Sequence, residues 1–264
     1  MIHLQQISLR HGRTEPFPFT IPALQQLALS FTASVVFFVG ENGSGKSTLL
    51  EALALEVGSP TVGNADARRD PTLQPVRDLA DSLKLVWRKR TRQGFFMRAE
   101  DFFGYVQRLN QMRAELEADL SWVDEEYAGR SDYAKGLARM PYAGELHALK
   151  GQYGRSLDNY SHGESFLELF QSRLRPGGLY LLDEPEAPLS PLRQLSLLSL
   201  LRQAVRDECQ FIIATHSPIL MALPDAVILS FDERPLRPVP YDELEHVVLT
   251  RSFLQNPEQY LRHL

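Results

Sequence analysis

Four short stretches carry the side chains that could do chemistry. Gly40-Glu-Asn-Gly-Ser-Gly45-Lys46-Ser47 has the spacing G-x-x-x-x-G-K-[ST]. Glycines at those places let backbone N–H groups turn inward around a β-phosphate. Lys46 reaches the β- and γ-phosphates, and Ser47 can bind Mg²⁺. Asn42, Gly43, Ser44, Gly45, Lys46, Ser47 and Thr48 are the candidate phosphate-binding set. A glycine-rich turn without a ligand is the bland alternative. The flanks argue against it: the apolar run Val35–Val39 predicts a buried strand before the loop, and "KSTLLEALALEVG" predicts a helix after it. That helix would point its positive end at the anion.

Leu179-Tyr-Leu-Leu-Asp183-Glu184-Pro185 is a second buried strand, and it ends in two carboxylates. Asp183 can hold Mg²⁺ directly or through water. Glu184 can orient and deprotonate an attacking water. A pair of solvated turn residues is the alternative. Gln210-Phe-Ile-Ile-Ala-Thr-His216-Ser217 is a third such strand ending in a polar pair. Ligands of parallel sheets bind at the carboxyl ends of strands, which places His216 to sense a γ-phosphate. Tyr160-Ser161-His162-Gly163-Glu164-Ser165 precedes a predicted helix. Taken alone it is a capping box, with Ser161 and Glu164 in the S-x-x-E spacing.

The elements that must position these groups alternate along the chain. "MIHLQQISLR" alternates apolar and polar residues with a slip at Gln5–Gln6, the pattern of a bulged strand. "LKLVWRKR" and "GFFMR" predict two further strands, read together as a basic hairpin. Residues 99–127 contain no proline, and apolar residues at 102, 106, 109, 112, 116, 120 and 123 predict one long amphipathic helix. Residues 128–159 are rich in Gly, Tyr and basic residues and read as a softer stretch. Beyond them come helix, strand, helix, strand, then "AVILSF" as a strand and a helical tail from Tyr241. Strands alternating with helices predict a parallel α/β sheet.

With 28 basic against 33 acidic residues, general attraction to nucleic acid is not expected. Local basic patches remain open. "KLVWRKRTRQGFFMR" carries Lys84, Arg88, Lys89, Arg90, Arg92 and Arg98 with no acidic residue, suited to nucleic acid or an acidic partner, or simply to solvent. The single Cys209 rules out a disulfide framework within the chain, which fits a reducing compartment. No run reaches the roughly 18 apolar residues of a membrane span. The polar N-terminus lacks the apolar run of a signal peptide. A cytoplasmic protein is expected.

Phosphate loop, "YSHGES", "LLDEP" and "ATHS", in that order, resemble the motifs of the ATP-binding cassette ATPases. "APLS" (Ala187–Ser190) lies where that family has its dimer-contact loop. In "YSHGES", Ser161 and Gly163 match the family signature, while His162 replaces a Gly and Glu164 a Gln; a Glu there is typical of the SMC- and RecF-like branches. The chain is also similar to short stand-alone bacterial ATPases labelled "AAA family ATPase", on "FFMRAEDFF", "SHGES", "LLDEPEAPLSP", "ATHSPIL" and "NPEQYLRHL". The resemblance implies one ATPase domain over 1–264. Its fold would be a P-loop NTPase with a mostly parallel sheet flanked by helices, an N-terminal antiparallel β part, and a helical subdomain inserted at about 99–175. It implies ATP and Mg²⁺ as ligands, with Ser47 and Asp183 at the metal. Glu100, where the family has a lid-loop Gln, either meets the metal through water or is a solvated residue at a helix start. His11 or Arg13 would stack on adenine. Because the family's signature serine reaches the phosphate of the other copy, the resemblance implies a homodimer on ATP. A protein or nucleic-acid partner would receive the motion; the alternative is the motor of a membrane transporter. An insert of one helix plus about 30 softer residues excludes tethering DNA over distance.

Overall fold

The computed structural model describes residues 1–10, 14–61, 73, 76–153 and 162–262. In chain order its elements are β1 (Leu4–Leu9), β2 (Ala28–Ser30), β3 (Val35–Val39), α1 (Lys46–Val57), α2 (Arg77–Ser82), β4 (Leu83–Trp87) and β5 (Phe96–Arg98). Three helices follow: α3 (Ala99–Glu126), α4 (Asp132–Tyr153) and α5 (His162–Arg173). The last group is β6 (Leu179–Asp183), α6 (Pro191–Arg206), β7 (Gln210–Ala214), α7 (Pro218–Met221), β8 (Val227–Ser230), β9 (Arg237–Pro238), α8 (Glu245–Gln255) and α9 (Pro257–Leu261).

Contacts divide the chain into two compact units, Met1–Ala99 with Leu174–Leu264, and Glu100–Arg173. The first holds two sheets. Six strands run in the order β5-β6-β7-β3-β8-β9, parallel except for the edge strand β9. The three strands of the other sheet, β2-β1-β4, are antiparallel. This is the mixed α/β architecture expected from the sequence. Strands β3, β6 and β7 are buried at every residue, which is why they read as unbroken apolar runs rather than alternating ones. Strand β1 carries its bulge where the slip predicts it, with a register shift between Leu4 and Gln6.

Helix α1 packs against β6 and β7 of one sheet, β4 of the other, and α2. Leu49, Leu50, Ala52, Leu53, Ala54 and Leu55 are all buried, so the helix is apolar on every side. The core around it draws on both sheets: Leu4, Ile7 and Leu83 from one, Val36, Phe38, Leu181 and Ile212 from the other.

One side chain stitches the sheets together. Gln210 is fully buried at the start of β7. Its Oε1 accepts from the backbone N–H groups of His3 and Leu4, both at 2.8 Å. Its Nε2 donates to Leu4 O at 3.0 Å. Gln210→Leu strands all three backbone groups without partners. Each orphaned buried group costs ~1–3 kcal/mol, so the variant is expected to lose ~3–5 kcal/mol in chemical denaturation.

Two expectations are corrected. Strands β4 and β5 are not a hairpin: β4 pairs with β1, whereas β5 pairs in parallel with β6 in the other sheet. Phe96 and Met97 of β5 are buried as a parallel strand requires. The stretch 128–159 is not soft throughout, because α4 occupies 22 residues of it. Pro141 and three glycines inside α4, with most side chains exposed, hide its helical period. Charge ties α4 to α3: Asp124 pairs with Lys135 at 3.1 Å and with Arg139. In the same unit Phe102 meets Phe166 edge-on, centroids 5.0 Å apart, joining α3 to α5. Among the described residues, no helix is long and apolar enough to cross a membrane.

Candidate functional site

The carboxyl ends of β3, β7 and β6 lie side by side. Register aligns Phe38 with Ala214 and Ala214 with Asp183. The three chemical stretches leave the sheet there, and topology alone brings them together.

The loop after β3 folds back on itself through glycines at positive φ. Gly45 sits at φ 104 before the first residue of α1, and a Cβ there would lie 2.8 Å from Ile21 Cγ2. Glycine supplies both the conformation and the space. Gly40 is similar, at φ 144 with the Asp232 carboxylate 3.0 Å from where a Cβ would stand. Asp232 also accepts from Glu41 N at 3.0 Å, so a carboxylate just past β8 clasps the loop's front edge. Sequence reasoning missed Asp232. The signal was available in "SFD", a fourth strand end in the same sheet.

Lys46 is buried inside the loop and donates to Gly40 O at 2.7 Å and Glu41 O at 2.9 Å. Burial pushes its pKa down, while Asp232 and Asp183 pull it back up. Ser47 donates to Asp183 Oδ1 at 3.0 Å, linking the phosphate loop to the carboxylate strand. Asp183 is buried, and burial, with a smaller push from the nearby Glu184, lifts its carboxyl from the ordinary 3.8 to about 7 against the opposing Ser47 hydrogen bond.

A hydroxyl and a carboxylate at this separation suit Mg²⁺, which takes few protein oxygens and keeps the rest of its shell for water and phosphate. A cation would also hold Asp183 ionised. Among the described residues no group of three or more His, Cys, Asp or Glu could hold a metal. Glu100 begins the second unit, in the first turn of α3.

The Asp183 shift sets a pH dependence. The folded state binds this proton more tightly than the unfolded chain, so the stability that this group contributes is full below pH ~4 and is lost as pH rises toward about 7. A rise from 3.8 to about 7 corresponds to ~4 kcal/mol at most. Ligand-free Asp183→Asn is therefore expected to gain stability over wild type between pH ~5 and ~8, by melting in parallel buffers. MgATP should erase the gain, because a cation stabilises only the wild-type carboxylate.

Glu184 and His216 project at the mouth. Glu184 Oε1 lies 3.9 Å from His216 Nε2, and both side chains are over 40% exposed, so water reaches them. Glu184 itself has φ 51 and donates its N–H to Ala214 O at 2.9 Å, which turns it out of the strand. Glu186 went unremarked in the sequence. Its Oε1 accepts from Thr215 Oγ1 and from His216 N, both at 2.7 Å. The second carboxylate after β6 was the available signal.

His162, Gly163 and Glu164 open α5, in the second unit. Ser161, His11 and Arg13 lie outside the described residues. The basic group is smaller than the sequence suggested. Arg98 is buried and paired with Glu51 at 3.4 Å, while Lys84, Arg88, Lys89, Arg90 and Arg92 reach solvent.

Two family models match. An AAA domain matches residues 19–121, the segment holding the phosphate loop. An AAA domain described under the AbiEii toxin and type IV TA systems matches residues 145–222, the segment holding Asp183, Glu184 and His216. No curated protein matches the chain. Similar solved structures include the Smc head domain of Pyrococcus furiosus with an extended coiled coil, bound to the C-terminal domain of ScpA. It is 12% identical, with a TM-score of 0.46, covering 98% of this chain and 100% of that one. A component of an ABC transporter complex from Clostridium perfringens is 17% identical, TM-score 0.46, covering 99% and 100%. The SMC head domain of Thermotoga maritima is 17% identical, TM-score 0.40, covering 90% and 99%.

Proposed function

We propose that this chain, a P-loop ATPase of the ABC- and SMC-like kind, binds ATP with Mg²⁺ and hydrolyses it as a pair of copies. The observation that carries the reading is the 3.0 Å bond from Ser47 to Asp183, with Glu184 and His216 beside it at adjacent strand ends. Phosphate loop, metal carboxylate, base and sensor then converge on one edge of one sheet.

Lys46 and backbone N–H groups of the loop, residues 42–48, hold the phosphates. Ser47 and Asp183 would hold the metal, which when bound would supply neutralisation of phosphate charge. Glu184 takes the proton of the attacking water, and its exposure lets that water approach. His216 donates toward the γ-phosphate and holds the water's other side. In the ATP-binding cassette ATPases that this chain resembles, the signature serine reaches the phosphate held by the other copy; by that resemblance a complete site draws Ser161, His162, Gly163 and Glu164 from a second copy. Binding of ATP closes the pair and hydrolysis opens it. That motion drives a protein or nucleic-acid partner, and the cations from Lys84 to Arg92 are a candidate contact for an acidic one.

Phosphate release from MgATP by the wild-type chain tests the activity, and light scattering with and without MgATP tests the pairing. A chain that binds MgATP yet keeps the mass of one copy at every nucleotide concentration would sink the pairing.

A further inference from the structure

The carboxylate of Glu186 serves no phosphate or metal in the scheme above, yet it is built into the backbone that bears His216. Its Oε1 receives two hydrogen bonds of 2.7 Å, from the Thr215 hydroxyl and the His216 N–H. Its Oε2 is buried and makes no hydrogen bond among the described residues. Burial raises its pKa, against the bonds from Thr215 and His216 that favour the ionised form. A buried carboxylate costs free energy wherever it stands, so its place on the His216 backbone calls for a reason beyond packing.

Further bonds close a ring around it. Ser217 N donates to Thr215 Oγ1 at 3.0 Å, and Ser217 Oγ donates to Gln194 Oε1 at 2.5 Å. Gln194 Nε2 donates to Leu189 O at 3.2 Å, and Leu189 N returns to Glu186 O at 2.8 Å. The segment after β6, the start of α6 and the segment after β7 are thereby one hydrogen-bonded body. Glu184 rides on the first segment and His216 on the last. Their backbones are fixed to each other while their side chains stay exposed.

We propose that Glu186 is a positioning residue for hydrolysis, which fixes the His216 backbone so that the imidazole stands against Glu184 and the bound γ-phosphate. This rests on the ATPase reading above. Glu186 touches no reacting atom and acts only through His216.

The experiment is a double-mutant cycle on steady-state hydrolysis, with nucleotide affinity measured separately by a fluorescent ATP analogue and folding by thermal melting. Misplacing a catalytic group by ~1 Å can cost ~100-fold, so Glu186→Ala is expected to lower kcat by ~10–100-fold. Its affinity for the analogue should stay within about twofold of wild type, since the phosphate contacts are untouched. Glu186→Gln keeps the accepting oxygen and should recover most of the loss. In a His216→Ala background, Glu186→Ala should add nothing further, because its route to the reaction is already cut. Losses that multiply in the double variant, or a Gln variant as slow as the Ala variant, overturn the proposal. An unchanged kcat in Glu186→Ala does so too. If His216→Ala itself loses no activity, the assignment of His216 in the ATPase reading fails, a result distinct from any of these.

Discussion

Glu184→Gln is expected to bind MgATP as wild type does and to hydrolyse it ~10²–10⁴-fold more slowly, the usual contribution of a positioned general base. The substitution keeps shape and hydrogen-bonding capacity and removes only the ability to take a proton. The side chain is about half exposed and its backbone bond to Ala214 O does not depend on the carboxylate, so the fold should not change. Because ATP is then not consumed, the closed pair should accumulate. Light scattering with saturating MgATP should give twice the mass of the chain alone. A variant that hydrolyses at the wild-type rate removes Glu184 from the role of base, and one that binds MgATP but stays at single mass counts against pairing.

Replacing Lys46 with Ala should act earlier in the cycle. The ammonium is held within the loop by two carbonyls, positioned where a phosphate oxygen would replace them as partner. Charge-assisted hydrogen bonds contribute ~1.5–3 kcal/mol each, so affinity for MgATP should fall ~10–100-fold, measured by calorimetry. Hydrolysis at low ATP should fall at least as far. The carbonyls of Gly40 and Glu41 lose their donor as well, so a modest drop in melting temperature accompanies the loss. Affinity within about twofold of wild type would mean that the loop grips phosphate through its backbone alone.

Much of this site is legible in the amino-acid sequence alone. "VVFFV", "LYLLD" and "QFIIA" announce themselves because strands buried on both faces have no room for polar residues. Their ends therefore locate Lys46, Asp183 and His216 on one edge. Helix α3 is legible for the opposite reason, since a single apolar stripe repeats at a helical period over 28 residues. Helix α4 is not. Pro141, Gly136 and Gly144 read as breakers, and nothing local reports the pairing of Asp124 with Lys135 and Arg139 across the turn. Partners distant in sequence are equally hidden. Gln210 looks like any first residue of a strand, yet it meets Leu4, 206 positions away. Glu186 looks like loop polarity, and the His216 N–H that it accepts from lies 30 residues later, just past β7.

The register between β5 and β6 has a consequence for how this chain can vary. Arg98 and Asp183 stand opposite each other on adjacent parallel strands, and the whole of 99–178 is the connection between the two strands. The sheet dictates where that connection leaves and where it returns, but not its length. Doubling a flexible connection costs only ~0.6 kcal/mol of closure entropy. A lineage could therefore lengthen, shorten or replace the helical arm while Asp183 keeps its register. The alignment of Arg98 with Asp183 constrains the two ends of the insert and leaves its interior free.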